Sequence, residues 1–171
     1  MFNNTKSLTK AGVLLALLIV LQIVTKSFGQ MITGSCVNFV LAICAFILEL
    51  GYGIAVAFIS PFLAFIVGVG PGFLPIVPCV SIGNVAFVVC LHFLFKKLNN
   101  TFALREVGVI ASSLVKFIFL YVLVVVLIIP SLGLPDAKAG VISTMFSFPQ
   151  LITAIIGGTL ANIVNSYIPK S

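Results

Sequence analysis

The chain has 171 residues, of which 61 % are hydrophobic and 7 % are charged, and its formal net charge is +6. A soluble domain of this length cannot hide so much apolar surface, so the composition excludes an ordinary water-soluble protein. Inside lipid, backbone groups must satisfy one another, which restricts the fold to helices or a closed barrel. The apolar runs are long and continuous rather than alternating, which favours helices.

We predict an all-α integral membrane protein with a single domain, a six-transmembrane-helix bundle over residues 1–171. The first apolar run follows two lysines as a signal sequence would, but a small-residue cleavage site is hard to place after it, so we interpret it as the first span. Only Glu49 and two glycines separate the second span from the third, and a turn is needed there because a single helix would exceed the bilayer thickness. The predicted spans are residues 8–28, 32–50, 52–69, 79–97, 104–129 and 141–167.

The distribution of basic residues predicts the orientation. An even number of spans places both termini on one side of the membrane, and the basic residues are concentrated on that side, which predicts cytoplasmic termini. That side carries Lys6, Lys10, Lys96, Lys97, Arg105 and Lys170, whereas the other carries Lys26 and Lys138. The positive charge is too scattered to indicate binding of nucleic acid.

The sequence shows no catalytic or metal-binding motif. The four cysteines have no paired spacing and lie within or at the ends of apolar runs, as small buried hydrophobic residues do. His92 is the single histidine, and we find no Ser/His/Asp set and no phosphate-binding loop. We therefore expect no enzyme activity, no metal and no cofactor, and any ATP hydrolysis would occur in partner subunits.

Lys116 lies in the middle of the fifth apolar run, where a charge costs about 3 kcal/mol on insertion scales. We expect it to face a protein interior or a wet cavity. No acidic residue lies at its predicted depth, because Glu49 and Glu106 fall near the inner face and Asp136 in an outer loop. A ligand with a carboxylate, phosphate or carbonyl group is a candidate partner, and backbone carbonyls or Tyr121 are alternatives.

Other polar residues share this depth. With a rise of about 1.5 Å per residue, Asn38, Asn84 and Gln150 fall in the outer half to the middle of the bundle, near Lys116, and Tyr121 lies further out. We predict these five residues as the substrate-binding site. Structural roles stay open: Asn38 as a contact between helices, Asn84 as a partner of nearby backbone, and Gln150 as a filler of the hydrogen-bonding gap left by the preceding proline.

Small residues about four apart give flat faces on the first and last spans. Such faces serve either internal packing or docking to a separate membrane protein. The residues are Ala11, Gly12 and Ala16 on the first span, and Gly157, Gly158 and Ala161 on the last.

Four local sequences occur in a characteristic order and spacing. They are LTKAGVLLALL from Leu8, PCVSIGN ending at Asn84, SLVK ending at Lys116, and PQLITAIIGG from Pro149. With the size and the six spans, they make the chain resemble the substrate-binding S components of energy-coupling-factor (ECF) vitamin transporters. The resemblance implies a plasma-membrane protein of a prokaryote that captures a vitamin or vitamin precursor from outside. It also implies docking to a membrane coupling protein and two cytoplasmic ATPases.

The resemblance further implies where these contacts lie. Alanines four apart on the first helix form the docking face in that family, and Gly12 and Ala16 match them here. We expect Asn84 and Gln150 to bond a heterocycle and Lys116 to bind an anionic or carbonyl group. The substrate stays open among pyrimidine-, pyridine-, benzimidazole- and flavin-like molecules. The alternative is a stand-alone secondary carrier or a structural subunit of another membrane complex, although a proton-driven carrier would normally need a buried carboxylate.

Overall fold

A computed structural model describes residues 5–70, 72–98 and 101–167 of the chain. These residues are almost entirely helical, and no strand occurs among them. A 3-10 turn, Lys26–Phe28, connects the first two helices, and a π-helical segment, Tyr121–Ile128, joins α5 to α6. The α-helices are α1 (Thr5–Thr25), α2 (Gln30–Ile47), α3 (Leu50–Ile66), α4 (Ile76–Leu98), α5 (Phe102–Leu120), α6 (Ile129–Ser131), α7 (Asp136–Met145) and α8 (Phe148–Tyr167).

Five helical runs in the described part of the chain are long and apolar enough to cross a membrane. They are Thr5–Phe28, Gln30–Ile47, Ile76–Leu98, Phe102–Ser131 and Asp136–Tyr167. Helix α3 is apolar but has 17 residues, which is near the lower limit of about 17 for a span. The predicted all-α membrane fold with six helical passes is confirmed, and the orientation from the basic residues stays a prediction.

Helix α2 lies at the centre of the bundle and packs against α1, α3, α4 and α8. Its residues Leu41, Ala42 and Cys44 are completely buried, and Phe87 of α4 and Leu18 of α1 complete this core. A second apolar cluster, which includes Ile76, Leu120 and Phe146, joins the start of α4 to the end of α5 and to α7. The buried polar residues described below belong to neither cluster.

The turn between α2 and α3 lies slightly earlier than expected. Helix α2 ends at Ile47, Leu48 is extended, and Glu49 precedes the first residue of α3. The glycines that we expected in the turn are therefore inside α3. Helix α3 packs tightly on α4 at Gly53, where a Cβ atom would lie 3.2 Å from Val88.

The sixth predicted span, residues 141–167, is two helices rather than one. Helix α7 ends at Met145 and α8 begins at Phe148. Pro149 causes the break, because proline has no N–H and its ring clashes with the carbonyl of the residue four positions earlier. That carbonyl belongs to Met145, and it accepts a hydrogen bond from Nε2 of Gln150 at 3.2 Å.

Candidate functional site

Lys116 forms hydrogen bonds with two asparagines on neighbouring helices. Its Nζ donates to Oδ1 of Asn38 on α2 and to Oδ1 of Asn84 on α4, each at 2.6 Å. All three side chains are at most 2 % exposed. Nζ also lies 5.6 Å from the centre of the Phe87 ring, where the face of the ring attracts a cation. The lysine therefore has neutral partners from this chain.

The ammonium group determines how the two amides are oriented. Because an ammonium can only donate, both asparagines must turn their oxygens towards Lys116. The Nδ2 group of Asn38 then donates to the backbone carbonyl of Gly34 at 2.9 Å and to Oγ1 of Thr153 at 3.3 Å. The Nδ2 group of Asn84 finds no acceptor among the described residues.

Glycines allow the helices to approach closely enough for these bonds. A Cβ atom at Gly83, beside Asn84, would lie 2.7 Å from Leu120 of α5. A Cβ atom at Gly34 would lie 3.1 Å from Thr153 of α8. The close packing of α4 on α5 and of α2 on α8 therefore depends on side chains being absent at these positions.

The network borders a cavity of about 110 Å³ at the end of the bundle where α1 and α2 are connected. Four of the five predicted site residues line it: Asn38, Asn84, Lys116 and Gln150. Further polar side chains come from Gln22, Gln30 and Thr33. The apolar part of the wall comes from Val37, Pro61, Ala64, Phe65, Val69, Val77, Val80 and Phe146. A mostly apolar wall with a few convergent polar groups is typical of a small-molecule site.

Tyr121 does not line the cavity, contrary to its predicted position. Its side chain is 41 % exposed, and its ring centre lies 5.9 Å from that of Phe117. The expectation rested on depth along the helix alone. Tyr121 is five residues from Lys116, which turns it about 140° around a helix with 3.6 residues per turn.

Gln150 combines the two roles that its sequence position left open. Its Nε2 group satisfies the carbonyl of Met145 that Pro149 frees. Its Oε1 atom has no donor among the described residues, and the side chain lines the cavity. Gln150 therefore both supports the break before α8 and presents an acceptor to the cavity.

Gln22 is a site residue that the sequence reasoning missed. It lies near the end of α1, is 6 % exposed and lines the cavity. Its Oε1 atom is buried and has no hydrogen-bond partner. Thr33 was missed as well, and its hydroxyl donates to the carbonyl of Thr25 at 2.8 Å. Both residues lie near the ends of their helices at the connection of α1 to α2, so their depth along these helices was the signal that could have identified them.

No acidic side chain lines the cavity. The chain has three acidic residues, and all are described. Glu49 accepts a hydrogen bond from Ser7 at 3.3 Å, and Glu106 accepts from Asn162 at 2.8 Å. Asp136 lies in the first turn of α7. No group of three potential metal ligands occurs in the described ranges.

A second polar network connects α5 and α8 at the end near Arg105. Arg105 is 8 % exposed and donates from Nε to Asn162 at 2.9 Å and from Nη2 to Ser166 at 2.7 Å. Thr159 donates to Glu106, which also accepts from Asn162. These side chains hold two helices together and do not line the cavity.

The small residues of α1 and α8 have different surroundings. Ala11 is 7 % exposed and belongs to the apolar core, so it does not share the surface of its neighbours. Gly12 and Ala16 are exposed on one face of α1. On α8, a Cβ atom at Gly157 would lie 2.5 Å from the carbonyl oxygen of Ser35, so this glycine serves internal packing.

Comparison with known protein families matches residues 6–168 to the family described as ECF transporter, substrate-specific component. The chain belongs to this family. The match covers nearly the whole chain and confirms the resemblance inferred from its local sequences. The protein is accordingly the substrate-binding component of a membrane transporter and not an enzyme. No curated protein and no solved structure matches the chain.

Proposed function

We propose that this S component captures a vitamin-like small molecule or its precursor from outside a prokaryotic plasma membrane and that the cavity is its binding site. The buried contact of Lys116 with Asn38 and Asn84 carries the proposal. A charge this deep in an apolar bundle is costly and is typical of a functional site in membrane proteins. Here it lies at a cavity, where binding a small molecule would compensate the cost.

The predicted orientation supports capture from outside. The cavity lies at the end of the bundle formed by the connection of α1 to α2, the end of α3 and the start of α4. The basic residues predict that this end is opposite to the cytoplasmic termini. Asn84, Gln150 and Lys116 would then contact the substrate, and Phe65 and Phe146 would pack against its apolar part.

Partner subunits would hydrolyse the ATP that drives transport. The exposed face of α1 around Gly12 and Ala16 would dock to a membrane coupling protein that carries two cytoplasmic ATPases. A flat face of small residues lets another helix approach closely, and association between helices in lipid depends on such packing. Beyond Gly12's own turn of helix, no atom of the described residues lies within 4 Å of a Cβ placed there, so this surface is open in the described part of the chain.

Coexpression with a coupling protein and two ATPases of an ECF module tests the proposal. We expect the four chains to copurify and, in liposomes, to take up a compound from a yeast-extract filtrate only when ATP is enclosed with the ATPases. Catalytically inactive ATPases are the control. Uptake that proceeds equally without ATP would indicate a stand-alone carrier, and failure to copurify would contradict the docking.

A further inference from the structure

We infer that the substrate is a small monoanion whose carboxylate binds Lys116 and Asn84, and whose N–H or O–H group donates to Gln150. This inference rests on the proposed function, because it specifies the molecule that the same cavity would bind. According to this inference, the substrate is neither a neutral heterocycle nor a phosphate ester. Three features of the cavity support it: the direction of its hydrogen bonds, its charge and the position of one acceptor without a partner.

Hydrogen-bond direction is constrained on the side of the cavity formed by α4 and α5. Lys116 has three N–H donors, and two of them are used by the asparagines. Because the lysine holds the oxygen of Asn84, the amide presents its NH₂ group elsewhere, and no described residue accepts from it. Lys116 and Asn84 therefore both offer donors. A carboxylate supplies two acceptor oxygens for such a pair.

The charge of the cavity distinguishes an anion from a neutral acceptor. Lys116 is the one charged side chain among the residues described as lining it. A buried charge without a counterion is costly, and pairing within a low-dielectric site recovers part of that cost. One positive charge matches one carboxylate. A phosphate monoester carries about −1.5 to −2 at neutral pH and would leave a negative charge buried without a partner.

Gln150 presents an acceptor to the same substrate. Its Nε2 group is used by the carbonyl of Met145, and its Oε1 atom has no donor among the described residues. Leaving an acceptor without a partner once the substrate excludes water from it costs about 1 to 3 kcal/mol. Because Gln150 belongs to α8 and the donors belong to α4 and α5, we expect the substrate to carry its two polar groups on different parts. The apolar side chains of Phe65, Phe146 and Val37 would contact the part between them.

Two substitutions at one position separate charge from hydrogen bonding. Asn84→Asp would place a carboxylate beside Nζ of Lys116, so the lysine would be neutralised within the chain and an anion would be repelled. Asn84→Leu removes the same NH₂ donor at similar volume but leaves the positive charge available. For a carboxylate substrate we expect the aspartate variant to bind at least about tenfold more weakly than the leucine variant. For a neutral acceptor the two variants would bind alike.

The measurement uses the wild-type protein and both variants in nanodiscs, with a yeast-extract filtrate as the probe. After washing, methanol releases the retained compounds, which are identified and quantified by mass spectrometry. The expected result is a retained monocarboxylic acid with an N–H or O–H group, depleted most strongly on Asn84→Asp. A retained neutral, cationic or phosphorylated compound would overturn this inference while supporting the proposed function. Retention of nothing by the folded wild-type protein would contradict both.

The identity of the compound on the wild-type protein decides the question even if a variant does not fold. If Asn84→Asp retains the acid as well as Asn84→Leu does, the carboxylate does not bind beside Lys116, and the inference is wrong. Circular dichroism of each variant establishes that the helices are present before retention is compared.

Discussion

Lys116 of α5 donates to Asn38 of α2 at 2.6 Å, and Asn38 in turn donates to Thr153 of α8 at 3.3 Å. With Asn84, the lysine therefore links the four helices α2, α4, α5 and α8 around one buried charge. If the substrate binds as proposed, its binding would be coupled to helix packing, because attraction of the lysine would alter hydrogen bonds that involve all four helices.

Lys116→Met tests the centre of this network. We expect retention of the wild-type compound to fall by at least about tenfold, because the variant loses both the charge and a donor. The helices should still form, since removing the buried charge offsets the cost of leaving two asparagine oxygens without their donor. Lys26→Met is the matched control, because Lys26 is exposed near the same end of the bundle. Equal retention by both variants would exclude Lys116 from the site.

Gln22→Met should stabilise the empty protein. The substitution removes the buried oxygen that lacks a partner, so we expect a gain of about 1 kcal/mol in the free energy of unfolding. Thermal denaturation in detergent, without the yeast-extract filtrate, measures this gain. Gln30→Met is the control, because Gln30 lines the cavity but is only partly buried. A loss of stability in Gln22→Met would show that its amide has a partner in the folded protein.

The helical membrane fold and four polar residues of the cavity could be predicted from the sequence because two physical effects are strong in this chain. Long apolar runs determine the spans, and the cost of a buried charge singles out Lys116. The position of each residue along its helix then indicated that Asn38, Asn84 and Gln150 lie at a membrane depth similar to that of Lys116. Depth does not determine the face of the helix on which a residue lies, and for this reason Tyr121 has a suitable depth but does not line the cavity.

The same limitation applies to the α1 surface. Ala11 and Gly12 are adjacent in sequence, so they point about 100° apart and cannot share one helix face. Ala11 is buried, whereas Gly12 and Ala16, four residues apart, are both exposed. The break before α8 was missed for a different reason. Pro149 was recognised as a local gap in hydrogen bonding, but whether a helix continues across such a gap depends on packing around it.

Gly157→Ala should destabilise the protein strongly. The added Cβ atom would lie 2.5 Å from the carbonyl oxygen of Ser35 and 2.6 Å from the amide nitrogen of Phe39, and backbone atoms of α2 cannot move aside locally. We expect a loss of at least about 2 kcal/mol, as for other overpacked positions. Gly12→Ala is the matched control, because its Cβ would meet no atom of another described part of the chain within 4 Å. Equal thermal midpoints for the two variants would contradict the close packing of α2 and α8.

Ala16→Trp should abolish copurification with the coupling protein and leave retention of the wild-type compound unchanged. A large side chain prevents a partner helix from approaching the flat face formed with Gly12, and this face is outside the residues that line the cavity. Leu17→Trp is the control for adding bulk to this helix, because Leu17 is exposed but lies about 100° around α1 from Ala16. If both variants copurify as well as the wild type, the docking surface lies on another helix.

Asn162→Leu should destabilise the opposite end of the bundle without changing the cavity. Asn162 is completely buried, accepts from Arg105 at 2.9 Å and donates to Glu106 at 2.8 Å, so its loss removes one partner from each of two charged groups. Hydrogen bonds to charged groups contribute about 1.5 to 3 kcal/mol each, and we expect a loss of at least about 2 kcal/mol in the free energy of unfolding.

Asn165→Leu is the control, because Asn165 is only partly buried and has no side-chain bond among the described residues. The folded fraction of Asn162→Leu should retain the same compound as the wild type, since Arg105 lies about 17 Å from Lys116 along α5. Weaker retention by that folded fraction would show that the two polar networks are coupled through α5 or α8.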